Sequence, residues 1–367
     1  MKRNYYYFLI LILLITSCIG KSEVPVNTST SSEKTIQQQL TSGTIFITGF
    51  YAFNIQVACY WIDGKPQVLD TPSSATYSYA NSVAISSSDV YIAGFYSNRN
   101  SRSIACYWKN GERIDLSITG EFSASSTAMA ISGSNVYITG GYSGGGIHRA
   151  CYWKNDVFHD LAIPENASRA YARAIIISDN DVYITGEYRN SNFTQIACYW
   201  KNGVFNELNN PVGADSSACA SAIAISNSDI HIAGHISIGD DCIAYYWNNG
   251  NPQELYIPNN AESSIANSIA VLDSDVYIIG YYAIDYYNNV ACYWKNGELH
   301  ELDIPSDART SIATAVEISG SDIYITGFYT DNNLTEFAVY WKNGTLYNLD
   351  PLAGSSMVRI TDISISK

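Results

Sequence analysis

Basic residues are scarce in this chain of 367 residues. Lysine and arginine total 20 against 34 aspartate and glutamate residues, so the net charge is −14. A surface that binds the phosphates of DNA or RNA needs a stripe of basic residues, and this composition supplies little material for one. We therefore expect no nucleic-acid partner.

Residue patterns that carry metal or phosphate chemistry are also missing. The sequence has neither the Gly-x-x-x-x-Gly-Lys phosphate loop nor a twelve-residue calcium loop. The pairs Asp240-Asp241 and Asp273 with Asp275 are typical of solvated turns, with calcium binding as the alternative. None of the five histidines has a metal-ligand spacing: His148, His159, His231, His235 and His300. We expect no catalytic residue, no metal and no cofactor.

One short motif does suggest catalysis. Gly141-Tyr-Ser-Gly-Gly145 matches Gly-x-Ser-x-Gly, the pattern of an esterase nucleophile. That chemistry requires a turn from a strand into a helix, with the serine beside a histidine. Here the motif falls in a predicted hairpin loop, so we interpret it as structural.

Regular cysteine positions argue against disulfides. Five cysteines lie two residues before a tryptophan: Cys59, Cys106, Cys151, Cys198 and Cys292. The same position in different repeats lies beyond the ~7 Å between Cα atoms that a disulfide allows. Cys219 and Cys242 are irregular, and a strand between them would separate them by roughly 9–10 Å. We expect the five regular cysteines to be small buried apolar residues, and no bridge between the other two.

The N-terminal apolar run, Tyr5 to Ile15, is too short to span a ~30 Å hydrocarbon layer comfortably, and Lys2 and Arg3 precede it. Ile15-Thr-Ser-Cys18 resembles the bacterial lipobox, which implies that residues 1–17 are a signal peptide and that Cys18 carries diacylglycerol. Ile19 after the cysteine resembles lipoproteins sent on to the outer membrane. The resemblance places the chain in the cell envelope, held by lipid alone, with the periplasmic or surface side left open.

Residues 18–42 predict a tether. They are rich in Ser, Thr, Gln and Lys and show no hydrophobic period. A random coil of ~24 residues spans roughly 25–30 Å. We therefore expect the folded part, residues 43–367, to stand away from the bilayer.

The tryptophans reveal a repeat. They are Trp61, Trp108, Trp153, Trp200, Trp247, Trp294 and Trp341, spaced by 45 or 47 residues. Each lies in the same phrase, as in Asp181-Val-Tyr-Ile-Thr-Gly-Glu-Tyr188, then Ala197-Cys-Tyr-Trp-Lys-Asn-Gly203, Glu207-Leu208 and Ala222-Ile-Ala-Ile-Ser226. They mark four segments, which we call b (Val182–Tyr188), c (Ile196–Lys201), d (around Leu208) and a (Ala220–Ser226). They are β-branched, aromatic and bounded by glycine, which favours short strands over helices.

Seven repeats of four strands predict an all-β fold, a seven-bladed β-propeller with four antiparallel strands per blade. The repeat region begins on a b segment, Thr44–Tyr51, and ends on an a segment, Val358–Ile365. The C-terminal strand is therefore expected to join the N-terminal blade and close the ring, which hides the sheet edges. Both faces of segment c are apolar, as a blade between two neighbours requires.

Turn chemistry predicts two unlike faces of the disc. Six of the seven c-to-d connections are Asn-Gly or Asp-Gly, the signal for a two-residue hairpin, and the a-to-b turns are similarly short. These turns share one face, because strand direction alternates. The b-to-c and d-to-a connections share the other, and we name the two the short-turn face and the long-loop face.

Two known families resemble this repeat. The Tyr-x-x-Gly of segment b and the strand order resemble kelch repeats, and Ala-Cys-Tyr-Trp-Lys-Asn-Gly followed by Leu resembles the extracellular HAF-type repeat. The likeness covers about residues 43–367, but the tryptophan lies in segment c rather than d and most b segments end in a single glycine, unlike kelch. The resemblance implies a binding scaffold, with no shared catalytic set.

Aromatic residues outside the repeat positions are the candidate ligand contacts. Rigid rings on one face suit a protein or glycan partner, because they lose little rotamer entropy on binding. The alternative is that they cap the blades. These candidates are Tyr77, Tyr79, Phe122, Tyr171, Phe193, Tyr256, Tyr286 and Tyr287, together with Phe53.

The sequence therefore predicts a lipid-anchored, non-catalytic scaffold that binds a protein or glycan through its long-loop face. One alternative is a glycan-active hydrolase or lyase at the central pocket, for which Glu317 and Asp362 are the acidic residues of segment a. Another is a scaffold for envelope assembly. The fifth repeat departs from the phrase at His231, His235, Cys242, Tyr245 and Asn248. Either sequence drift or a specialised function of this blade explains the departure.

Overall fold

The computed structural model describes residues 40–52, 55–98, 102–118, 120, 122–213, 216–285, 287–355 and 357–367. Within them, 28 strands form seven four-stranded antiparallel sheets, which are the seven blades of a β-propeller. The predicted fold is confirmed. This part of the chain has no helix long and apolar enough to cross a membrane.

The innermost strand of each blade contacts the innermost strands of both neighbours, so seven strands form the wall of a central channel. From blade 1 to blade 7 they are β28 (Met357–Ile365), β4 (Tyr77–Ser86), β8 (Ser123–Ser132), β12 (Arg169–Ser178), β16 (Ser217–Ser226), β20 (Ser263–Leu272) and β24 (Ala308–Ser319). The second strands, in the same order, are β1 (Ile45–Ala52), β5 (Asp89–Ser97), β9 (Asn135–Gly144), β13 (Asp181–Arg189), β17 (Asp229–Ile238), β21 (Asp275–Asp285) and β25 (Asp322–Asp331).

The third and outer strands complete each blade. The third strands are β2 (Gln56–Ile62), β6 (Ser103–Lys109), β10 (Ile147–Lys154), β14 (Gln195–Lys201), β18 (Asp241–Asn248), β22 (Asn288–Lys295) and β26 (Glu336–Lys342). The outer strands are β3 (Lys65–Val68), β7 (Glu112–Asp115), β11 (Val157–Asp160), β15 (Val204–Glu207), β19 (Asn251–Glu254), β23 (Glu298–Glu301) and β27 (Thr345–Asn348).

Blade 1 is built from both ends of the repeat region. The C-terminal strand β28 pairs antiparallel with β1, and Ile363 lies opposite Ile47. Gly43 and Ser366 extend the contact, since the Gly43 N–H donates to the Ser366 carbonyl at 2.8 Å. The predicted closure of the ring is therefore confirmed, and no inner or second strand is left unpaired at the junction.

At each boundary between blades a tryptophan is packed and forms a hydrogen bond to the neighbouring blade. All seven tryptophans are almost fully buried. Each indole N–H donates to a carbonyl of the preceding blade, as Trp200 Nε1 does to Ala162 at 2.6 Å. The accepting residue always follows the repeated leucine at the end of segment d; the other six acceptors are Asp350, Asp70, Ser117, Asn209, Tyr256 and Asp303. A buried donor is thus satisfied at every boundary.

The short turns have the predicted geometry. Asn202 and Gly203 both adopt positive φ, 51° and 78°, as a type I′ hairpin requires. The Asn202 side chain accepts from the Val182 N–H at 2.9 Å and donates to Asp181 at 2.7 Å. Lys201 pairs with the same carboxylate at 2.9 Å. The arrangement recurs in blades 2, 6 and 7, around Asp89, Asp275 and Asp322.

Segment b ends in glycine because the innermost strand bulges against it. The register shifts between Ala172 and Ala174, opposite Gly186. A Cβ on Gly186 would lie 1.9 Å from the Tyr171 carbonyl oxygen. Each of the seven equivalent glycines meets an innermost-strand carbonyl in this way: Gly49, Gly94, Gly140, Gly186, Gly234, Gly280 and Gly327. Only glycine fits this close backbone approach.

The long-loop face differs from the prediction in two respects. Residues Tyr77, Tyr79 and Tyr171 lie in the innermost strands β4 and β12, because pairing with the second strand continues beyond the bulge. The b-to-c connections are not uniformly long. In blades 3, 5 and 6 the strand ends leave only two residues, 145–146, 239–240 and 286–287.

Candidate functional site

Pairs of residues on the two inner strands form a belt in the channel wall, near the long-loop face. One member of each pair lies on the innermost strand and the other lies opposite it on the second strand. From blade 1 to blade 7 the pairs are Arg359–Phe50, Tyr79–Phe95, Ser125–Gly141, Tyr171–Glu187, Cys219–His235, Ile265–Tyr281 and Ile312–Phe328. The belt is chemically uneven around the ring.

Aromatic rings dominate one side of the belt. Tyr79 packs against Phe50 of blade 1, with ring centroids 4.6 Å apart, and stacks on Phe95 of its own blade at 4.9 Å. The Arg359 guanidinium lies over the Phe328 ring, 4.3 Å from its centroid, and forms an ion pair with Glu336. These contacts join blades 7, 1 and 2 at the channel.

Polar side chains collect on the opposite side, in blades 3, 4 and 5. We name this group the polar arc: His148, Tyr171, Arg173, Glu187, Cys219 and His235. Its centre is a two-pronged ion pair, in which Arg173 Nε donates to Glu187 Oε2 at 2.9 Å and Nη2 donates to Oε1 at 2.5 Å. Cys219 donates its S–H to the same carboxylate, at 3.4 Å.

Arg173 owes its position to the bulge of the innermost strand. It is the extra residue between Ala172 and Ala174. At four of the equivalent positions an uncharged side chain donates to the innermost strand of the next blade: Asn81 to Ser126, Thr127 to Ala172, Asn267 to Ala313 and Thr361 to Ala80. Arg173 instead turns to Glu187. Its side chain remains 47% accessible inside the ring, while that of Glu187 is only 2% accessible.

The ends of the polar arc carry the two histidines. His148 covers Gly141, whose Cβ would lie 3.3 Å from the imidazole, and its ring centroid lies 4.3 Å from that of Tyr171. His148 Nδ1 also hydrogen-bonds to the Ala170 carbonyl at 3.2 Å. His235 differs, because its buried Nδ1 has no hydrogen-bond partner among the described residues. We expected every histidine to be satisfied structurally, and His235 is the exception at this atom.

Burial keeps the two histidines and the cysteine of the arc uncharged near neutral pH. It lowers the pKa of His235 to about 4, with a smaller contribution from Arg173, and also lowers the pKa of His148. The same cause raises the pKa of the Cys219 thiol to about 12. Since Arg173 and Glu187 carry opposite charges, the arc has many hydrogen-bonding groups and no net charge.

A pair of carboxyl groups lies further along the innermost strands, with Glu317 on β24 of blade 7 and Asp362 on β28 of blade 1. Asp362 accepts from the Ser82 hydroxyl at 2.7 Å and the Val83 N–H at 2.9 Å. Burial raises the pKa of Asp362 to about 6. Burial and the charge of Asp362 raise the pKa of Glu317 to about 7. Among the described residues, no set of three or more His, Cys, Asp or Glu side chains could hold a metal ion.

The predicted aromatic contacts divide into two groups. Phe193, Tyr256 and Tyr287 are exposed on the long-loop face, at 74%, 62% and 65%. The half-buried group is Tyr77, Tyr79, Phe122 and Tyr171. Phe122 lines a shallow cavity of about 230 Å³ between blades 2 and 3. Cys18, Phe53 and Tyr286 lie outside the described residues.

Exposed aliphatic residues extend the aromatic group. Ile238, Ile284 and Leu334 are at least a third exposed and lie at the b-to-c ends of blades 5, 6 and 7. We name the combined set the apolar arc: Phe193, Ile238, Tyr256, Ile284, Tyr287 and Leu334. Sequence reasoning did not select the aliphatic members, because Ile and Leu are usually buried in repeat strands.

The Gly-x-Ser-x-Gly motif and the cysteines, which we interpreted as structural, lie within the blades. Ser143, the candidate nucleophile, lies on strand β9 within a β-hairpin, opposite His148, and not at a turn into a helix. Cys219 and Cys242 are free thiols, as are the five regular cysteines, all of which are buried. In divergent blade 5, His231 bonds to the Tyr246 hydroxyl at 2.6 Å, and Cys242 lies 3.2 Å from the Ser237 hydroxyl.

Comparison with known proteins supports the fold. No family model and no curated protein sequence matches the chain. Among solved structures, it is similar to puromycin hydrolase (TM-score 0.53, 9% identity, 89% of this chain and 57% of that one). It is also similar to a post-proline cleaving enzyme from Rickettsia typhi (0.51, 10%, 89% and 56%) and to the Aleuria aurantia lectin (0.41, 12%, 75% and 96%). The chain spans just over half the length of the two enzymes.

At these identities the comparisons show the fold alone. The two enzymes with TM-scores above 0.5 share only 9% and 10% identity with this chain, so their activities are not carried over to it.

Proposed function

We propose that this protein is a lipid-anchored scaffold of the bacterial cell envelope that binds a protein partner through its long-loop face. The observation that carries the proposal is the apolar arc, six large apolar side chains exposed along one face of blades 4 to 7. Several large apolar side chains exposed on one face of a soluble protein are typical of an interaction surface.

The composition of the apolar arc favours a protein over a glycan as the partner. Tyr287 and Phe193 are rigid amphipathic or aromatic groups of the kind enriched in protein interfaces. Ile238, Ile284 and Leu334 add aliphatic surface, which buries well against another protein but offers no flat ring face to a sugar. Five of its six members lie at b-to-c connections, between the second and third strands of a blade, so a partner can approach without entering the channel.

The position of the N-terminus supports this orientation. Residues 41 to 44 hydrogen-bond to Ser366, at the end of blade 1 where the short a-to-b turn would lie. The chain that precedes Leu40 therefore joins the propeller at the short-turn face. A lipid on Cys18 would leave the long-loop face pointing away from the anchoring bilayer, free to meet a partner.

The proposal is tested by crosslinking and co-purification of the full chain from intact membranes. We expect the Phe193→Ala/Tyr287→Ala variant to reduce partner recovery at least about tenfold, the loss typical of interface hot spots. Tyr347→Ala is the matched control, because Tyr347 is also exposed but lies on outer strand β27. A Cys18→Ser variant is expected to leave the membrane fraction.

Three results would contradict the proposal. Equal recovery by the arc variant and the control would remove the apolar arc from the interface. Retention of the Cys18→Ser variant in the membrane fraction would show that a lipid on Cys18 is not what anchors the protein. Binding to a glycan array that is lost in the arc variant would replace the protein partner by a glycan. If the recovered partner is an integral outer-membrane protein, the envelope-assembly alternative is the specific form of the proposal.

A second candidate function, glycan cleavage, is favoured by Glu317 and Asp362. Two carboxyl groups that lie on the adjacent innermost strands β24 and β28 and titrate near neutrality suit general acid and base roles in glycoside hydrolysis. Turnover of envelope polysaccharides by the wild-type protein, abolished in Glu317→Gln, would support this function over a non-catalytic scaffold. Full activity of that variant would exclude the pair.

A further inference from the structure

The boundary between blades 4 and 5 departs from the repeat at the channel wall. Where Glu187 and His235 lie, four other blades have an aromatic ring, Phe50, Phe95, Tyr281 and Phe328. Where Arg173 lies, every other blade has Asn, Thr or Ser. The aromatic and amide residues evidently suffice for folding, since neighbouring blades use them at the same positions.

An ion pair at this boundary is costly for stability. Removing a carboxylate from water carries a penalty that a single partner often fails to offset, and apolar replacements are commonly neutral or stabilising. Glu187 is almost fully buried and is held by both prongs of Arg173. Other blades fill these positions with aromatic and uncharged polar side chains, which avoid the cost of burying a carboxylate. The ion pair therefore points to a role other than holding the blades together.

The pair leaves hydrogen-bonding capacity directed into the channel. A guanidinium has five N–H groups, and Glu187 accepts from Nε and Nη2. The remaining donors belong to a side chain that is 47% accessible. Close by, His235 Nδ1 and Thr185 Oγ1 are buried polar atoms without a hydrogen-bond partner among the described residues. Unsatisfied buried groups of this kind call for an explanation.

The electrostatics restrict the ligand. Arg173 and Glu187 neutralise each other, both histidines of the arc are uncharged near neutral pH, and Cys219 stays a thiol. At Arg173 and His235 a ligand therefore meets no net charge, and the further charge of Arg169 acts at the His148 end of the arc. A neutral molecule with several hydroxyl groups would find donors in Arg173 and an aromatic neighbour in Tyr171, which borders the same channel.

We propose that the polar arc is a binding site for a neutral saccharide. Hydroxyl groups of one sugar ring accept from the free N–H groups of Arg173 and exchange hydrogen bonds with the imidazole of His235. The apolar face of the ring lies towards Tyr171. This site shares no residue with the apolar arc, and the inference does not depend on the identity of the protein partner.

Restoring the repeat at this boundary provides the test. The variant Arg173→Asn/Glu187→Phe reproduces Asn81 and Phe95 of blade 2, and His235→Phe reproduces the same second-strand position. Both variants are expected to fold, because their side chains already occupy equivalent sites. The matched control is Asn267→Thr, which places at the bulge of blade 6 the residue found in blades 1, 3 and 7.

Binding is measured by saturation-transfer NMR and titration calorimetry with a panel of neutral mono- and disaccharides. We expect at least one to bind the wild type and the control equally, and to lose at least about tenfold in affinity in both restored variants, since hydrogen bonds to charged groups contribute most. Recovery of the protein partner should be unchanged. A wild type that binds no saccharide in the panel would overturn the inference, as would binding that survives in both restored variants.

Discussion

At the scale of the single residue, every blade requires a glycine at the end of segment b. The innermost strand bulges towards the second strand, and its carbonyl occupies the space where a Cβ would be. The bulge in turn directs one residue per blade, such as Arg173, into the channel. A backbone requirement therefore determines where the chemistry of the channel is displayed.

Gly186→Ala is accordingly expected to destabilise the protein by about 3 kcal/mol, at the upper end of the usual cost of overpacking, because its Cβ would lie 1.9 Å from a backbone oxygen. Gly133→Ala is the control. Gly133 has a positive φ of 59° but no atom within 4 Å of its would-be Cβ, so only the cost of the left-handed conformation, about 1–2 kcal/mol, is expected. Urea denaturation measures both. Equal losses would show that steric contact at Gly186 is unimportant.

Single residues also show the limit of sequence reasoning about the site. Phe193, Tyr256 and Tyr287 are exposed and lie outside the repeat phrase, which is the signal that selected them, and their role in binding stays a prediction. Glu187 and Arg173 were not selected, because each stands inside a strand pattern and looks like an ordinary repeat variation. Only the three-dimensional register brings together side chains that are fourteen residues apart on two strands.

At the scale of the element, the hairpin turns follow the sequence closely. Asn-Gly predicts a type I′ turn because both central residues need positive φ, and the structure confirms this at six c-to-d turns. The seventh has Asn155 and Asp156, again with positive φ at both residues. Some a-to-b turns also place non-glycine residues in this conformation.

The turn between β16 and β17 offers a measurable case. Ser228 is exposed and has φ 71°, after Asn227 at 50°. Ser228→Gly removes the left-handed cost of about 1–2 kcal/mol but adds entropy to the unfolded chain, so we expect a net gain of about 0.5 kcal/mol. The converse change, Gly203→Ser, should lose a similar or larger amount. Thermal unfolding compares the two, and a destabilised Ser228→Gly variant would contradict the prediction.

Strand length was less predictable than turn type. The repeat phrase marks segment a from about Ala220 to Ser226, yet β16 begins at Ser217. The additional residues pair with the second strand beyond the bulge, where the sequence shows little alternation. Tertiary pairing at the channel extends the strand, and local propensity does not record it. This extension is what moves Tyr77, Tyr79 and Tyr171 from loops into the wall.

At the scale of the whole molecule, blade 1 joins the two ends of the repeat region, and its inner strand supplies the acidic pair with blade 7. Glu317 comes from β24 and Asp362 from β28, and Lys367 lowers the cost of the Glu317 charge. The pair therefore exists only when the ring is closed. It couples the stability of the closed ring to pH.

Glu317 is expected to make the folded protein less stable as pH rises. Its pKa is about 7 in the folded state against 4.5 as the ordinary value, so its contribution is fully present below pH 4.5 and is lost as pH rises towards 7. Glu317→Gln should remove this loss, raising stability above pH 7 by about 3 kcal/mol and leaving it nearly unchanged near pH 4.5. Asp362, whose pKa is about 6, still titrates in both proteins.

The measurement is urea unfolding of wild type and Glu317→Gln between pH 4.5 and 8. A difference in unfolding free energy that grows with pH would confirm the direction. A constant difference would show that the pKa of Glu317 is the same in the folded and unfolded chains, and that its burial in the closed ring has little effect on titration.

The sequence by itself determined the number of blades, the strand order, the closure of the ring and the identity of the short turns. Each of these depends on local residue types repeated at a fixed period, because every blade buries the same faces against the next. Only the tertiary structure decided which variations matter. Arg173, Glu187, Cys219 and His235 come from two different repeats, and they meet because the ring places neighbouring inner strands in contact around one channel.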